Sequence, residues 1–364
     1  MATVNVLFDG VSGYMGGTVL YKFKNEQSTR YQSVKLFALV RDANKAEKAE
    51  HYGATPLIGS LDDEEAIYQM ITSNNITTIL HMADTTNWVR QSYLIKALAA
   101  VKSDVQKHYV SVAGADSFGP ATGWPRKDAV SDLEDCYQQE VDCAVSYERR
   151  TVDMNIHNTA EAAGIKSYIV FAPCVYGLGS GFGHVTSIQV PGLIRAAAKD
   201  RAAHYTLPGT DGWSIVHVED IADLFLALLH SSLSKHAPSG KAGGYYFAES
   251  GFASWQQMTQ TVAKFMYKRG LVDSAEATPW PGLPDKSIAA QSLNCTPGYV
   301  SHIFGGLVRL NAQRGATIGW KPKYDESYFF EQFDNEIDPL QEKNFAFEAK
   351  KILKHDEIHG EGKH

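Results

Sequence analysis

"NVLFDGVSGYMGGTVL" (Asn5–Leu20) decides how this chain is read. A short apolar run ends at Gly10, Gly13 and Gly16 follow at three-residue steps, and a second apolar run begins. Strand, glycine turn and helix in that order head a βαβ unit. Glycine there permits a tight turn, close approach of backbone to a pyrophosphate, and close packing of helix on strand. The helix N-terminus adds unpaired N–H groups that attract anions. The alternative is a packing turn with no ligand.

Working outward, strand-like and helix-like segments alternate. "VKLFALV", "TPLIG", "ITTILHMA", "KHYVSVAG" and "KSYIVFAP" read as strands. "ANKAEKAEHYG" and "DDEEAIYQMITSN" read as helices, the second with acids in its first turn, where the helix dipole favours them. A long helix is expected over Ala144 to Ala163. Val- and Ile-rich strands with helical crossovers make a parallel sheet covered on both faces, the doubly wound α/β fold. Beyond about Gly177 the alternation loosens into a glycine-rich loop, "GLGSGFG", and further helices. The expected organisation is a nucleotide-binding Rossmann domain over 1–180 and a smaller, interleaved C-terminal substrate lobe over most of 181–340. Residues 214–248 are expected to return to the first domain, and 341–364 form a charged tail, helical until Gly360.

The bulk numbers exclude several classes. With 364 residues, 44% hydrophobic and 21% charged, the chain can bury a sizeable core. A net charge of -7 argues against a nucleic-acid partner. No apolar stretch approaches a membrane span and no secretory leader is visible, so a cytoplasmic location is expected. Cys136, Cys143, Cys174 and Cys295 lack metal-ligand spacing and read as reduced thiols. No metal site is expected, and no zinc-protease, serine-hydrolase or P-loop motif occurs.

Two charged residues follow the second strand. An acid there takes the ribose 2′-OH of NAD, whereas an arginine accommodates the 2′-phosphate of NADP. Arg41 directly follows Val40 and Lys45 is four residues on, so NADP(H) is favoured over NAD(H). Asp42 reads equally well as a cap for the next helix.

Taken together, the chain resembles the extended, or atypical, short-chain dehydrogenase/reductase superfamily. "DGVSGYMGG" stands at the family's TGxxGxxG turn, "GSLDD" at its GDLxD stretch and "ILHMAD" at its His-x-Ala-Ala strand end. "FAPCVYGLGSG" resembles the RPxxVYGPG segment, and "VHVEDIADL" and "IGWKP" resemble two C-terminal signatures. Fungal reductase-like and NmrA-like members are the most similar in pattern. The resemblance implies that Gly10, Gly13, Tyr14, Met15 and Gly16 hold the pyrophosphate. It implies that Ser60 and Leu61 border the adenine, that Met82, Ala83 and Asp84 lie beneath the cofactor, and that Pro173 and Val175 lie beside the nicotinamide. It also implies pairing of two copies through long helices.

The family's catalytic Ser, Tyr and Lys are only partly matched. Tyr147 stands in "YERRT", with Thr151 where Lys belongs. Ala113 or Gly114 stands at the serine position, with Ser111 before it and Ser117 after it. Arg150, three residues after Tyr147, is a candidate substitute for Lys because such residues are helix neighbours. The competing expectation is that Arg149 and Arg150 are exposed and pair with nearby acids. His217 is expected to satisfy local backbone, and Trp88, Trp213, Tyr176 and His184 either line an aromatic pocket or pack the lobe. His355, His359 and His364 belong to the tail. The leading expectation is an NADPH-dependent oxidoreductase acting on a small carbonyl or hydroxyl metabolite. A redox sensor without turnover and a non-redox enzyme of secondary metabolism are the alternatives.

Overall fold

The computed structural model describes residues 3–26, 31–84, 86–144, 147–234 and 236–346. Along the chain, β1 (Val4–Phe8), α1 (Tyr14–Glu26), β2 (Val34–Val40), α2 (Ala43–His51), β3 (Thr55–Ile58), α3 (Glu64–Ser73), β4 (Thr78–His81), α4 (Trp88–Ala100) and β5 (His108–Gly114) come first. β6 (Val130–Ser131), α5 (Cys136–Cys143), α6 (Glu148–Ala162), β7 (Lys166–Ala172), β8 (Cys174–Tyr176) and α7 (Gln189–Asp200) follow. Then come β9 (His204–Tyr205), β10 (Gly212–His217), α8 (Val218–Leu233), β11 (Tyr245–Phe247), β12 (Gly251–Ser254) and α9 (Trp255–Lys268). The last are β13 (Thr278–Pro279), α10 (Ser287–Leu293), α11 (Pro297–Ile303), β14 (Leu310–Asn311), α12 (Arg314–Thr317), α13 (Glu326–Glu331) and α14 (Phe333–Glu342).

Seven strands form one parallel sheet in the order β11-β7-β5-β4-β1-β2-β3. The order reverses at β1, between β2 and β4, and ligands of doubly wound sheets sit outside the carboxyl ends of the strands at such a point. Alternation along each strand feeds two cores. Leu7, Ile79, Tyr109 and Ile169 face one cluster, and Val6, Phe8, Leu80, Val110 and Val170 face the other. Helix α8 packs on α1, and β11 closes one edge of this sheet. Strand β10 lies in a separate three-stranded sheet, parallel to β8 and antiparallel to β12. Helices α7, α9, α10, α11 and α14 pack together as the lobe. Among the described residues no helix is long and apolar enough to cross a membrane, and no group of side chains could hold a metal. Residues 347–364, including the tail histidines, lie outside the described residues.

One expected element is corrected. The helix expected over Ala144 to Ala163 is present as α6 and starts at Glu148, four residues later than expected. Asp135 caps α5 through the Gln138 amide, α5 ends at Cys143, and α6 starts at Glu148. Tyr147 is the extended residue that precedes α6, with φ -158 and ψ 114.

On α6, His157 is fully buried. Its Nδ1 meets the Ser167 hydroxyl at 2.8 Å, while its Nε2 has no partner among the described residues. Burial holds its pKa down to about 3. An unfolded chain binds a proton there near pH 6.5 and the folded chain does not, so this group destabilises the fold as pH falls below 6.5. His157→Gln is expected to remove about 3 kcal/mol of the stability difference between pH 6.5 and pH 4. Urea melts of both proteins at the two pH values check it, and parallel pH dependence in the two would refute it.

Candidate active site

The glycine turn lies between the end of β1 and the start of α1. Gly10 has φ +70, and a Cβ there would stand 2.7 Å from the Met82 carbonyl carbon. A Cβ on Gly16 would stand 2.3 Å from the Gly10 carbonyl oxygen. Gly13 donates its amide to that same oxygen at 2.8 Å. The first-turn amides of α1, at Tyr14 and Met15, have no carbonyl one turn back within the helix. These are the features that a bound pyrophosphate requires, so the residues fit a dinucleotide.

The segment 177–185 runs beside the turn. Gly181 packs on Gly17 and Gly183 on the Ser12 carbonyl, so closely that neither loop glycine has room for a side chain. The His184 amide donates to the Ser12 carbonyl at 3.1 Å. Phe182 reaches Tyr52, with ring centroids 5.6 Å apart. Gly177 anchors the segment. Its carbonyl accepts from the Tyr14 hydroxyl at 2.6 Å, and its amide donates to the buried Glu336 carboxylate of α14 at 2.9 Å. A cavity of about 320 Å³ opens between turn and loop, lined by Ser12, Asp42, Asn44, Lys45, Lys48, Phe182 and Gly183. Arg41 is exposed. Asp42 is engaged elsewhere: it accepts from the Lys45 amide at 2.9 Å and from the Lys45 ammonium at 2.5 Å. The ammonium and amide hold its carboxyl below the usual range.

The other expected cofactor contacts are distributed around the sheet edge. Ser60 donates to Asp62 at 3.1 Å, and Leu61 beside it is half-buried. The Met82 and Ala83 amides donate to Asp9 at 2.8 and 3.0 Å, and the same carboxylate meets buried His81 at 2.6 Å. Asp84 has φ +49 and pairs with Arg90. Pro173 and Val175 are buried, Val175 within β8.

Tyr147 is 9% exposed, and its hydroxyl donates to Asp116 Oδ2 at 2.5 Å. Asp116 lies on the single turn that follows β5, and its Oδ1 is 3.5 Å from Arg149 Nη1. Arg149 occupies the space a side chain at Gly114 would take: a Cβ there would be 2.1 Å from Nη1. Burial and the Asp116 carboxylate push the Tyr147 pKa far up, while the Arg149 guanidinium opposes them. The α11 residue His302 meets the Tyr147 ring edge-on at 6.3 Å.

Four expectations change on this geometry. Arg150 is fully buried, and its guanidinium donates to the carbonyls of Ser117 (2.7 and 2.9 Å), Thr122 (3.0 Å) and Cys143 (3.1 Å). That ties α5 to the turn after β5, which does not fit a substitute for the family Lys. Nor are Arg149 and Arg150 exposed. Thr151 points outward and is exposed. Ser111 donates to Gln91 of α4 at 3.3 Å, and Ser117 donates to Asp153 at 3.4 Å, so both hydroxyls serve packing partners. Trp213 and Tyr176 are core residues, Trp88 is half-buried and His184 is exposed, so they form no common pocket. His217 accepts from the Glu219 amide at the start of α8. Asp116 and Arg149 were missed as site residues. Their one sequence signal was an acid inside the apolar run "VAGADSFG".

Comparison with known proteins agrees with this architecture. Oxidase ucsJ of Acremonium sp is 22% identical over 349 residues, covering 88% of this chain and 93% of that protein. The dTDP-glucose 4,6-dehydratase of Bacillus anthracis superposes with a TM-score of 0.63 at 13% identity, over 94% of this chain and 100% of that one. Vestitone reductase of alfalfa gives 0.58 at 14% identity, over 94% and 99%. The NAD dependent epimerase/dehydratase family model matches residues 6–238. The chain is thus an extended short-chain dehydrogenase/reductase, an NAD(P)-dependent enzyme of redox or epimerase type, and it belongs to the NAD dependent epimerase/dehydratase family.

Proposed function

We propose that the protein is an NADPH-dependent oxidoreductase that reduces a carbonyl group on a small metabolite. The observation that carries the cofactor choice is the cavity beside the glycine turn. Lys45 and Lys48 line it, while Asp42 is committed to Lys45 and to capping α2. A 2′-phosphate finds the Lys48 ammonium there, and a bare ribose finds no free acid, because Asp42 and Lys45 engage each other. When bound, the nicotinamide supplies the hydride. The chain supplies orientation and the proton. Tyr147 keeps its hydroxyl proton, so its role is that of donor to a carbonyl oxygen, and because burial and Asp116 make it a weak acid the release of that proton needs help. Arg149 steadies the resulting phenolate, the role expected above of Arg150.

A second reading has one observation in its favour. Tyr147 already donates to Asp116, a bond that must break before the hydroxyl can serve a substrate. A cofactor-binding sensor without turnover, or a non-redox enzyme, has no need to break it.

NADPH is expected to bind at least about tenfold more tightly than NADH. Lys48→Ala, which removes an ammonium lining the cavity, is expected to weaken NADPH by roughly 10- to 100-fold, the range for one charge-assisted bond, and to leave NADH unchanged. Fluorescence titration of the four combinations checks this. Equal affinities for both cofactors would overturn the NADPH assignment. NADPH binding without consumption across a panel of aldehydes and ketones would favour the sensor.

A further inference from the structure

Arg149 is buried yet poorly satisfied. It is 8% exposed, its only ion pair is the 3.5 Å contact with Asp116, and its Nε has no hydrogen-bond partner among the described residues. Arg150, one residue on, shows what a satisfied guanidinium looks like here, with four short bonds to three carbonyls. Buried donors in native proteins are nearly always paired, and an unpaired one near a reacting group points to a missing ligand. Asp116 takes the Nη1 side, which leaves the edge that contains Nε. That edge of a guanidinium grips a carboxylate with two parallel bonds.

Resting on the oxidoreductase reading of the same site, we infer that the substrate carries a carboxylate, bound by Arg149, on the same molecule as the carbonyl that Tyr147 protonates. The geometry puts both groups in one site. A single carboxylate, Asp116, already spans from the Tyr147 hydroxyl to the Arg149 guanidinium, at 2.5 and 3.5 Å. The balance of charge agrees. Arg149 and Arg150 are both buried cations, whereas burial pushes the neighbouring Asp153 and Glu140 carboxyls towards their neutral forms. Asp116 alone does not neutralise two guanidiniums, so an anion is welcome and a second cation is not. The substrate class is an oxo acid.

The test uses the whole protein, with and without saturating NADPH, and unreactive probes. Oxamate and malonate are the carboxylates, oxamide the neutral analogue of oxamate, and inorganic phosphate the competing anion. Thermal-shift titration is expected to show saturable stabilisation by oxamate or malonate and none by oxamide. Arg149→Met is expected to weaken the carboxylate at least about tenfold, with Arg149→Lys intermediate. Equal binding of oxamate and oxamide, preference for phosphate, or no carboxylate binding would overturn the inference. That contrast uses the unaltered protein, so it stands if Arg149→Met fails to fold. Carboxylate binding through Arg149 in a protein that never consumes NADPH would instead sink the oxidoreductase reading and leave the anion site intact. Consumption of NADPH with neutral ketones, at rates matching their oxo-acid counterparts, would do the reverse.

Discussion

Gly10→Ala is expected to weaken NADPH binding by about 100-fold or more and to lower stability by roughly 2–4 kcal/mol. Two costs combine. At φ +70 an alanine is strained by about 1–2 kcal/mol. Its Cβ would also lie 2.7 and 2.8 Å from the Met82 carbonyl and 3.0 Å from the Ala83 amide nitrogen, all backbone atoms of the neighbouring strand end. The turn must move, and the α1 amides that it aims move with it. Gly164→Ala is the control, since it shares a φ of +68 with nothing within 4 Å of the added Cβ. It should show the strain and no change in cofactor affinity. Urea melts and NADPH titration of both variants separate the two costs. Wild-type affinity in Gly10→Ala would remove the dinucleotide from this turn.

Asp116→Asn is expected to lower stability by about 3 kcal/mol, because it leaves the Arg149 guanidinium buried without its counter-charge. Combining it with Arg149→Met should restore most of that loss, since the pair is then removed together. The same change has a signature in activity. The Asp116 carboxylate raises the Tyr147 pKa, and without it the pKa falls. The alkaline limb of the carbonyl-reduction profile, which the raised Tyr147 pKa places above the working range in the unaltered protein, should therefore move down towards that range. An unmoved limb would mean that Tyr147 is not the group whose proton is delivered.

Much of this was legible because it is local. The β2 stretch "VKLFALV" is apolar, β-branched and bounded by polar residues, and it forms the strand Val34–Val40. The turn at Gly10 needs a residue type that only glycine supplies, so the sequence announces it. That Tyr147 stands outside the helix was not legible. "CYQQEVDCAVSYERRT" contains no glycine or proline to stop a helix. The Cys143 carbonyl at the end of α5 is instead met by Arg150, whose other bonds go to Ser117 and Thr122, 33 and 28 residues away. The orientation of Arg149 is of the same kind. Two adjacent arginines read as a solvated helix face until distant carbonyls and one distant carboxylate are seen to receive them. Sequence pattern reports which residues want burial on apolar grounds. It is silent on charges that become buried because a remote partner compensates them.

The knot at Gly177 bears on the order in which the chain can finish itself. Its carbonyl is held by Tyr14, 163 residues earlier, and its amide by Glu336, 159 residues later. During synthesis the first six strands of the sheet can pair once residue 172 has emerged. The loop beside the glycine turn gains its second tether only when α14 leaves the ribosome. A nascent chain halted between those two points would own the glycine turn but lack the anchored loop beside it. Anchoring of the loop beside the glycine turn thus waits for α14, although the turn itself is made long before.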